Sequence, residues 1–334
     1  MAFEMAGQRV GSGENGVIRI PVCTMADTHE LSLAVHVLDS GKPGPVLAAV
    51  ATHHGEEVFT IELLRRLRQY ILQQDFKGTL LIMPLANPIS FAAGTRNTPT
   101  DMHNLNRVFP GNPDGWFTEI VADAIWTHLI PRIDGLLDYH CGGVDTCIHY
   151  TYTLTPNTDF GRLVHELALL GSAEILWETS HPAGSLAGLA TEKGIPTVIL
   201  EVGGGTAFGT DYLDRGLSAT IQILKRLAML DGTPERGPAR VVCRKGGSLR
   251  PHHGGLFQPE VGLEMLGKTV PGGTVLGRVL SPATFEELEV IRAPYPRTEL
   301  MMVRSRMGKV EPGDYAYIVG DGDSGYLIQD GSSQ

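Results

Sequence analysis

The sequence predicts an α/β fold, a mostly parallel or mixed sheet flanked by helices, followed by a small all-β region. Two observations carry this. From residue 46 to about 230, near-continuous apolar runs of strand length alternate with segments of helical period. After Leu230 no helix-length period recurs, and short apolar runs are cut by Gly and Pro.

The runs are VLAAVAT (46–52), TLLIMP (79–84), GLLDY (135–139) and TVILEV (197–202). Strands buried on both faces of a sheet read this way, because neither face needs polar residues. Between them, 56–73, 116–130, 159–171 and 211–230 carry apolar residues at helical spacing. Strand–helix alternation places helices on both faces of a largely parallel sheet. The Pro, Gly and charge-rich stretch DGTPERGPAR (231–240) marks a boundary, giving a larger region 1–235 and a small β-rich region 236–334. Segment 274–321 resembles the barrel-sandwich hybrid of biotinyl and lipoyl carrier domains. The modified lysine of those carriers has no counterpart in ATFEELEV (283–290), so no covalent cofactor is expected there.

Composition narrows the function. With 42% hydrophobic and 19% charged residues the 334-residue chain can bury a sizeable core, which excludes a disordered or coiled-coil protein. A formal charge of −10 argues against nucleic acid or an anionic membrane as partner. Any anionic substrate then needs a local positive site. The apolar runs are too short to span a bilayer, and the N-terminus lacks the pattern of a signal peptide. Four scattered cysteines without a CxxC fit a reducing cytoplasm.

The chemistry gathers at strand ends, where open α/β sheets bind ligands. The first run leads into His53-His54-Gly55-Glu56-Glu57, which contains two overlapping His-x-x-Glu pairs, His53/Glu56 and His54/Glu57. Imidazole and carboxylate both suit Zn²⁺, and His140, ending another run, could supply a third ligand and leave one position open. Asp138 stands two residues before it as a partner able to orient an imidazole. Glu201, inside the fourth run, is a carboxylate that must be paired, protonated or functional. Near activated water it would serve as general base and then acid. The long polar loop 93–111 offers Arg107 for a substrate carboxylate and Arg96 for a polarised carbonyl.

Four ordered segments carry a family resemblance: His54-Gly55-Glu56-Glu57, Asn104 through Gly111, Asp138-Tyr139-His140 and Glu201-Val202-Gly203. Together they resemble the succinylglutamate desuccinylase/aspartoacylase family of the zinc-carboxypeptidase superfamily. The resemblance implies a zinc-carboxypeptidase-like fold with one Zn²⁺ per chain, held by His54, Glu57 and His140. It also implies Glu201 as general acid/base, Asn106 and Arg107 as the carboxylate-binding pair, and Arg96 as the carbonyl-polarising arginine. The chain departs from the usual pattern at Asn104, where many members have Asp, and at Tyr139, where Leu is usual. Its interval from Arg96 to Asn106 is also longer than in human-type aspartoacylases.

The expected function is a zinc-dependent amidohydrolase that cleaves a small N-acyl amino acid or related metabolite. A carboxypeptidase-type metallopeptidase shares the chemistry but needs an open groove, which the C-terminal β region would cap. A non-catalytic metabolite-binding relative would be expected to lose one of His54, Glu57, His140 and Glu201, and all four are present. The acyl group and the oligomeric state, homo-oligomer included, stay open at this level.

Overall fold

The computed structural model describes residues 2–207 and 210–328, so the outer ends of the two expected regions, residue 1 and residues 329–334, lie outside the described residues. Strands β1 (Phe3–Met5) and β2 (Gln8–Val10) form a short antiparallel pair, and β3 (Asn15–Thr24) and β4 (Glu30–Asp39) a long one. Next come β5 (Val46–Ala51), α1 (Phe59–Ile71), β6 (Thr79–Met83), α2 (Pro88–Ala93) and α3 (Phe117–Leu129). They are followed by β7 (Gly135–His140), β8 (Thr146–Thr153), α4 (Asp159–Leu169), β9 (Ile175–Glu178), α5 (Leu186–Glu192), β10 (Thr197–Gly203) and α6 (Tyr212–Arg226). The remaining strands are β11 (Val241–Cys243), β12 (Gly246–Leu249), β13 (Gly255–Pro259), β14 (Thr269–Pro271) and β15 (Val275–Leu280). Last are β16 (Glu287–Arg292), β17 (Arg297–Arg304), β18 (Gly308–Val310), β19 (Tyr317–Asp321) and β20 (Tyr326–Leu327). Among the described residues no α-helix follows Arg226.

The four apolar runs are strands and immediate neighbours, in the order β6–β5–β7–β10, each pair parallel. The four segments of helical period are α1, α3, α4 and α6. Helices cover both faces. Leu63, Leu64 and Leu67 of α1 and Ile223 of α6 pack with Ala49, Ala51, Leu137 and Leu200 on one side. Val121, Ile125 and Leu129 of α3 and Leu186 of α5 pack with Ala48, Val50 and Leu136 on the other. Alternate residues of each strand thus enter different cores, the period-two consequence of a sheet buried twice.

The sheet is mixed rather than mostly parallel. Strand β4 pairs antiparallel with β6, and β8 antiparallel with β10. Connection length explains the second case: only residues 141–145 link β7 to β8, too few for the crossover that a parallel return requires. Beyond residue 240, β11, β12, β14, β17, β19 and β20 join this same sheet, with β17 pairing β8. The other four strands form a separate sheet, β16–β15–β13–β18. The four cysteines are free thiols, and no helix of the described residues is long and apolar enough to cross a membrane.

Candidate active site

Strand β5 ends at Ala51, and Thr52 then adopts φ 58°. A β-branched residue rarely enters the left-handed region, so the turn stores strain where the chain leaves the sheet. Burial and a hydrogen bond from Thr52 Oγ1 to the Pro84 carbonyl (2.9 Å) hold it there. The next residues close a tight turn, with Glu57 N donating to the His54 carbonyl at 3.1 Å. An i, i+3 turn brings the two side chains together: His54 Nδ1 lies 2.6 Å from Glu57 Oε1. His140, at the end of β7, places its Nδ1 3.0 Å from Glu57 Oε2. Glu57 is thereby clasped between two imidazoles, one to each oxygen.

Gly55 makes this turn possible. A Cβ added there would sit 2.0 Å from the backbone carbon and oxygen of Ser90 in α2. Backbone cannot move aside as a side-chain tip can. Gly55→Ala is expected to lose roughly 1–3 kcal/mol by overpacking and to weaken metal retention. Denaturant melts and metal analysis check this; unchanged values for both would show that α2 yields freely.

His54, Glu57 and His140 are buried, and one donor atom of each lies within 4.8 Å of the others. A second convergent set, His53, Asp138 and His140, meets the same distance test. The two sets differ in access. The first lines a cavity, whereas His53 and Asp138 do not and are fully buried against each other, His53 Nε2 lying 2.8 Å from Asp138 Oδ1. Two imidazoles and a carboxylate opening on a cavity fit a zinc ion with a free coordination position. The outward nitrogens also have partners: His54 Nε2 is 3.1 Å from Asn104 Oδ1, and His140 Nε2 is 3.4 Å from Asp138 Oδ2. The Asn104 oxygen, which can only accept, puts the proton of His54 on Nε2 and turns its Nδ1 toward an ion. Asn104 therefore keeps the orienting place as a neutral acceptor.

Charge agrees with this geometry. Burial alone would raise the pKa of Glu57, yet the two imidazoles outweigh it and hold the carboxyl below the usual range. Burial would lower His140, and Glu57 with Asp138 raise it well above the usual value instead. Glu201, on β10, stands in register with His140 of β7 on one side and Tyr150 of β8 on the other. It is half-buried and lines the same cavity, and burial pushes its pKa up to about 7 against the pull of His140.

The loop 93–111 delivers the remaining expected residues. Arg96 lines the cavity, its Nη1 3.9 Å from both Glu56 Oε1 and Glu57 Oε1. Asn106 is buried in the 3₁₀ turn Leu105–Arg107, accepting from Leu186 N at 2.9 Å with its Nδ2 3.2 Å from His140 Nε2. Its amide braces α5 and β7 as well as facing the cavity. Arg107 reaches solvent along the cavity wall, donating to the Asn106 carbonyl (2.6 Å). Desolvation by the surrounding walls, then repulsion from Arg96, lowers its pKa.

The structure thus gathers all seven expected residues around one cavity. Sequence reasoning missed the rest of the wall: Tyr150 and Tyr152 of β8, Trp177 of β9, and Ser248, Met302, Tyr315 and Ile318 from beyond residue 240. The only signal for the two tyrosines was their close spacing in TCIHYTYT, and Trp177 had none.

Comparison with known proteins gives the family. Residues 43–227 match the model of the succinylglutamate desuccinylase/aspartoacylase catalytic domain. N-alpha-acetyl-L-2,4-diaminobutyric acid deacetylase of Halomonas elongata is 34% identical over 131 residues, 39% of this chain. That match spans only 38% of the relative's own length. Among solved structures, a succinylglutamate desuccinylase from Silicibacter sp. TM1040 superposes with a TM-score of 0.79 at 23% identity, covering 92% of this chain and 94% of its own. An aspartoacylase family protein from Mesorhizobium loti gives 0.76 at 26%, covering 92% and 95%. The product-bound ectoine utilization protein EutE of Ruegeria pomeroyi gives 0.79 at 24%, covering 92% and 94%. With its catalytic-domain model matched across more than half of its length, the chain belongs to the succinylglutamate desuccinylase/aspartoacylase family.

Proposed function

We propose that the protein is a zinc-dependent deacylase that hydrolyses the amide bond of a small N-acyl amino acid. The observation that carries this reading is a buried His54–Glu57–His140 donor set opening on a cavity that Glu201 also lines. His54, Glu57 and His140 would hold one zinc ion per chain. The chemistry that ion supplies is Lewis acidity, which acidifies water and polarises a carbonyl. Glu201, with a pKa near neutrality, takes a proton from water and returns it to the departing amine. Arg96 presents a fixed positive charge toward the carbonyl oxygen as it gains charge. Arg107 receives the carboxylate of the amino acid half with its planar fork, and Asn106 supplies an amide beside it. The anion is thus captured locally despite the net charge of −10.

The partial match to a deacetylase of a small N-acetyl amino acid supports the deacylase reading over the carboxypeptidase one. Wall residues Ser248, Met302, Tyr315 and Ile318 support a small substrate too, since the region beyond residue 240 lines the same cavity as the donor set. On this reading residues 1–235 form the catalytic region and 236–334 a β-rich region that completes the pocket. The free cysteines suit a cytoplasmic enzyme.

Metal analysis tests the proposal together with a panel of N-acyl amino acids. The expected result is one zinc per chain, activity removed by chelation and restored by zinc, and little cleavage of peptides. A metal-free preparation with full activity would overturn it.

A further inference from the structure

Resting on the deacylase reading, we infer that the site takes an N-acyl amino acid with one carboxylate and an apolar, best aromatic, side chain. The evidence is the apolar and aromatic part of the cavity wall, which on this reading meets the amino acid half. Across the sheet, His140 of β7, Glu201 of β10 and Tyr150 of β8 stand in one register row. Moving past Glu201 and away from the metal ligands, the same face continues through Ile148 and Tyr152, since alternate residues of a strand share a face. Met302 pairs with Ile148 and Trp177 with Tyr152, and Ile318 closes the far side. Tyr152 and Trp177 are stacked, ring centroids 5.6 Å apart, and Tyr150 meets Trp177 edge-on at 5.5 Å. The Tyr150 hydroxyl is already spent on Tyr152, to which it donates at 3.1 Å.

Charge on this wall is scarce. Among the described residues lining the cavity, only Arg96 and Arg107 carry fixed positive charge. Arg96 lies against Glu56 and Glu57, leaving Arg107 as the cation without a carboxylate partner. Arg304 and Arg250, near the mouth, are committed elsewhere: Arg304 to Asp145 at 3.3 Å, and Arg250 to the face of Tyr315 at 3.9 Å. A substrate bearing a second carboxylate would set it among aromatic rings with no cation, at a desolvation cost. A cationic side chain fares no better there. The lining carboxylates are all engaged: Glu201 in proton transfer, Glu57 between His54 and His140, and Glu56 beside Arg96.

The test compares kcat/KM of the zinc-loaded enzyme on N-acetyl-L-phenylalanine, N-acetyl-L-aspartate and N-acetyl-L-2,4-diaminobutyrate. The expected preference for the phenylalanine compound is roughly 10- to 100-fold over each charged one. Equal or better use of either charged substrate overturns the inference while leaving the deacylase reading intact. Absence of hydrolysis across all three and across the wider N-acyl panel, with zinc bound, overturns the reading and the inference with it. Trp177→Arg places a cation on this wall and is expected to move the phenylalanine-to-aspartate ratio toward aspartate by about tenfold. Should that variant fail to fold, the wild-type ratios still decide.

Discussion

A Glu201→Gln variant is expected to bind zinc as the wild type does and to turn substrate over roughly 10²–10⁴-fold more slowly. The amide keeps the shape of the carboxyl but cannot take a proton from water. Little else should change, because Glu201 makes no side-chain hydrogen bond or ion pair among the described residues. Burial already holds the group near the point of neutrality, its pKa raised to about 7, so losing the charge removes no strong partner. The melting temperature should therefore stay within a degree or two of wild type or rise slightly, by roughly half a kcal/mol. Single-turnover kinetics separate the outcomes. A slow chemical step with KM unchanged places Glu201 at the proton transfer, whereas near-normal turnover would transfer that role to another group, Glu56 being the remaining wall carboxylate outside the proposed metal ligands.

Much of this architecture could be read from the chain because the same residues answer local and global demands. Leu47, Leu80, Leu136 and Val198 lie in runs whose apolar density reports burial on both faces, and these runs became the four adjacent parallel strands. His54, Glu57, His140 and Glu201 were legible because each stands in or just after the carboxyl end of such a run, with a group that burial alone would not tolerate. Strands β3, β4 and β8 were not. In β3 and β4 polar residues alternate along a face turned toward solvent, whereas TCIHYTYT of β8 is buried and its half-polar composition serves the cavity wall. The aromatic wall was hidden for a different reason. Tyr152 and Trp177 meet only through β8–β9 pairing, and Met302 arrives from a strand about 150 residues later in the chain. No period within one segment records such a contact. Asn104 shows a third limit: read as the loss of an acid, it nevertheless accepts from His54 Nε2 as an aspartate would.

Loss of the metal is the expected result of Glu57→Gln. Glu57 supplies the only negative charge of the three-residue donor set, and both of its oxygens are engaged by imidazoles. An amide in its place offers one neutral oxygen and turns an N–H₂ toward the other ring. Zinc sites bind with free energies of the order of 10 kcal/mol shared among a few ligands. Losing one ligand, and its charge, then costs roughly 3 kcal/mol, or about two orders of magnitude in affinity. Asp138 stays in place beside His53 and His140, so the surrounding fold should persist. The readout is the zinc dependence of thermal unfolding, since an ion that binds only the native state raises its stability by RT ln(1 + [L]/Kd). Wild-type protein should melt several degrees higher at saturating zinc than after chelation, and the variant should show a much smaller rise, as a hundredfold weaker site requires. An equal zinc-induced rise in both proteins would shift the metal onto His53, Asp138 and His140, the neighbouring set that lacks a cavity.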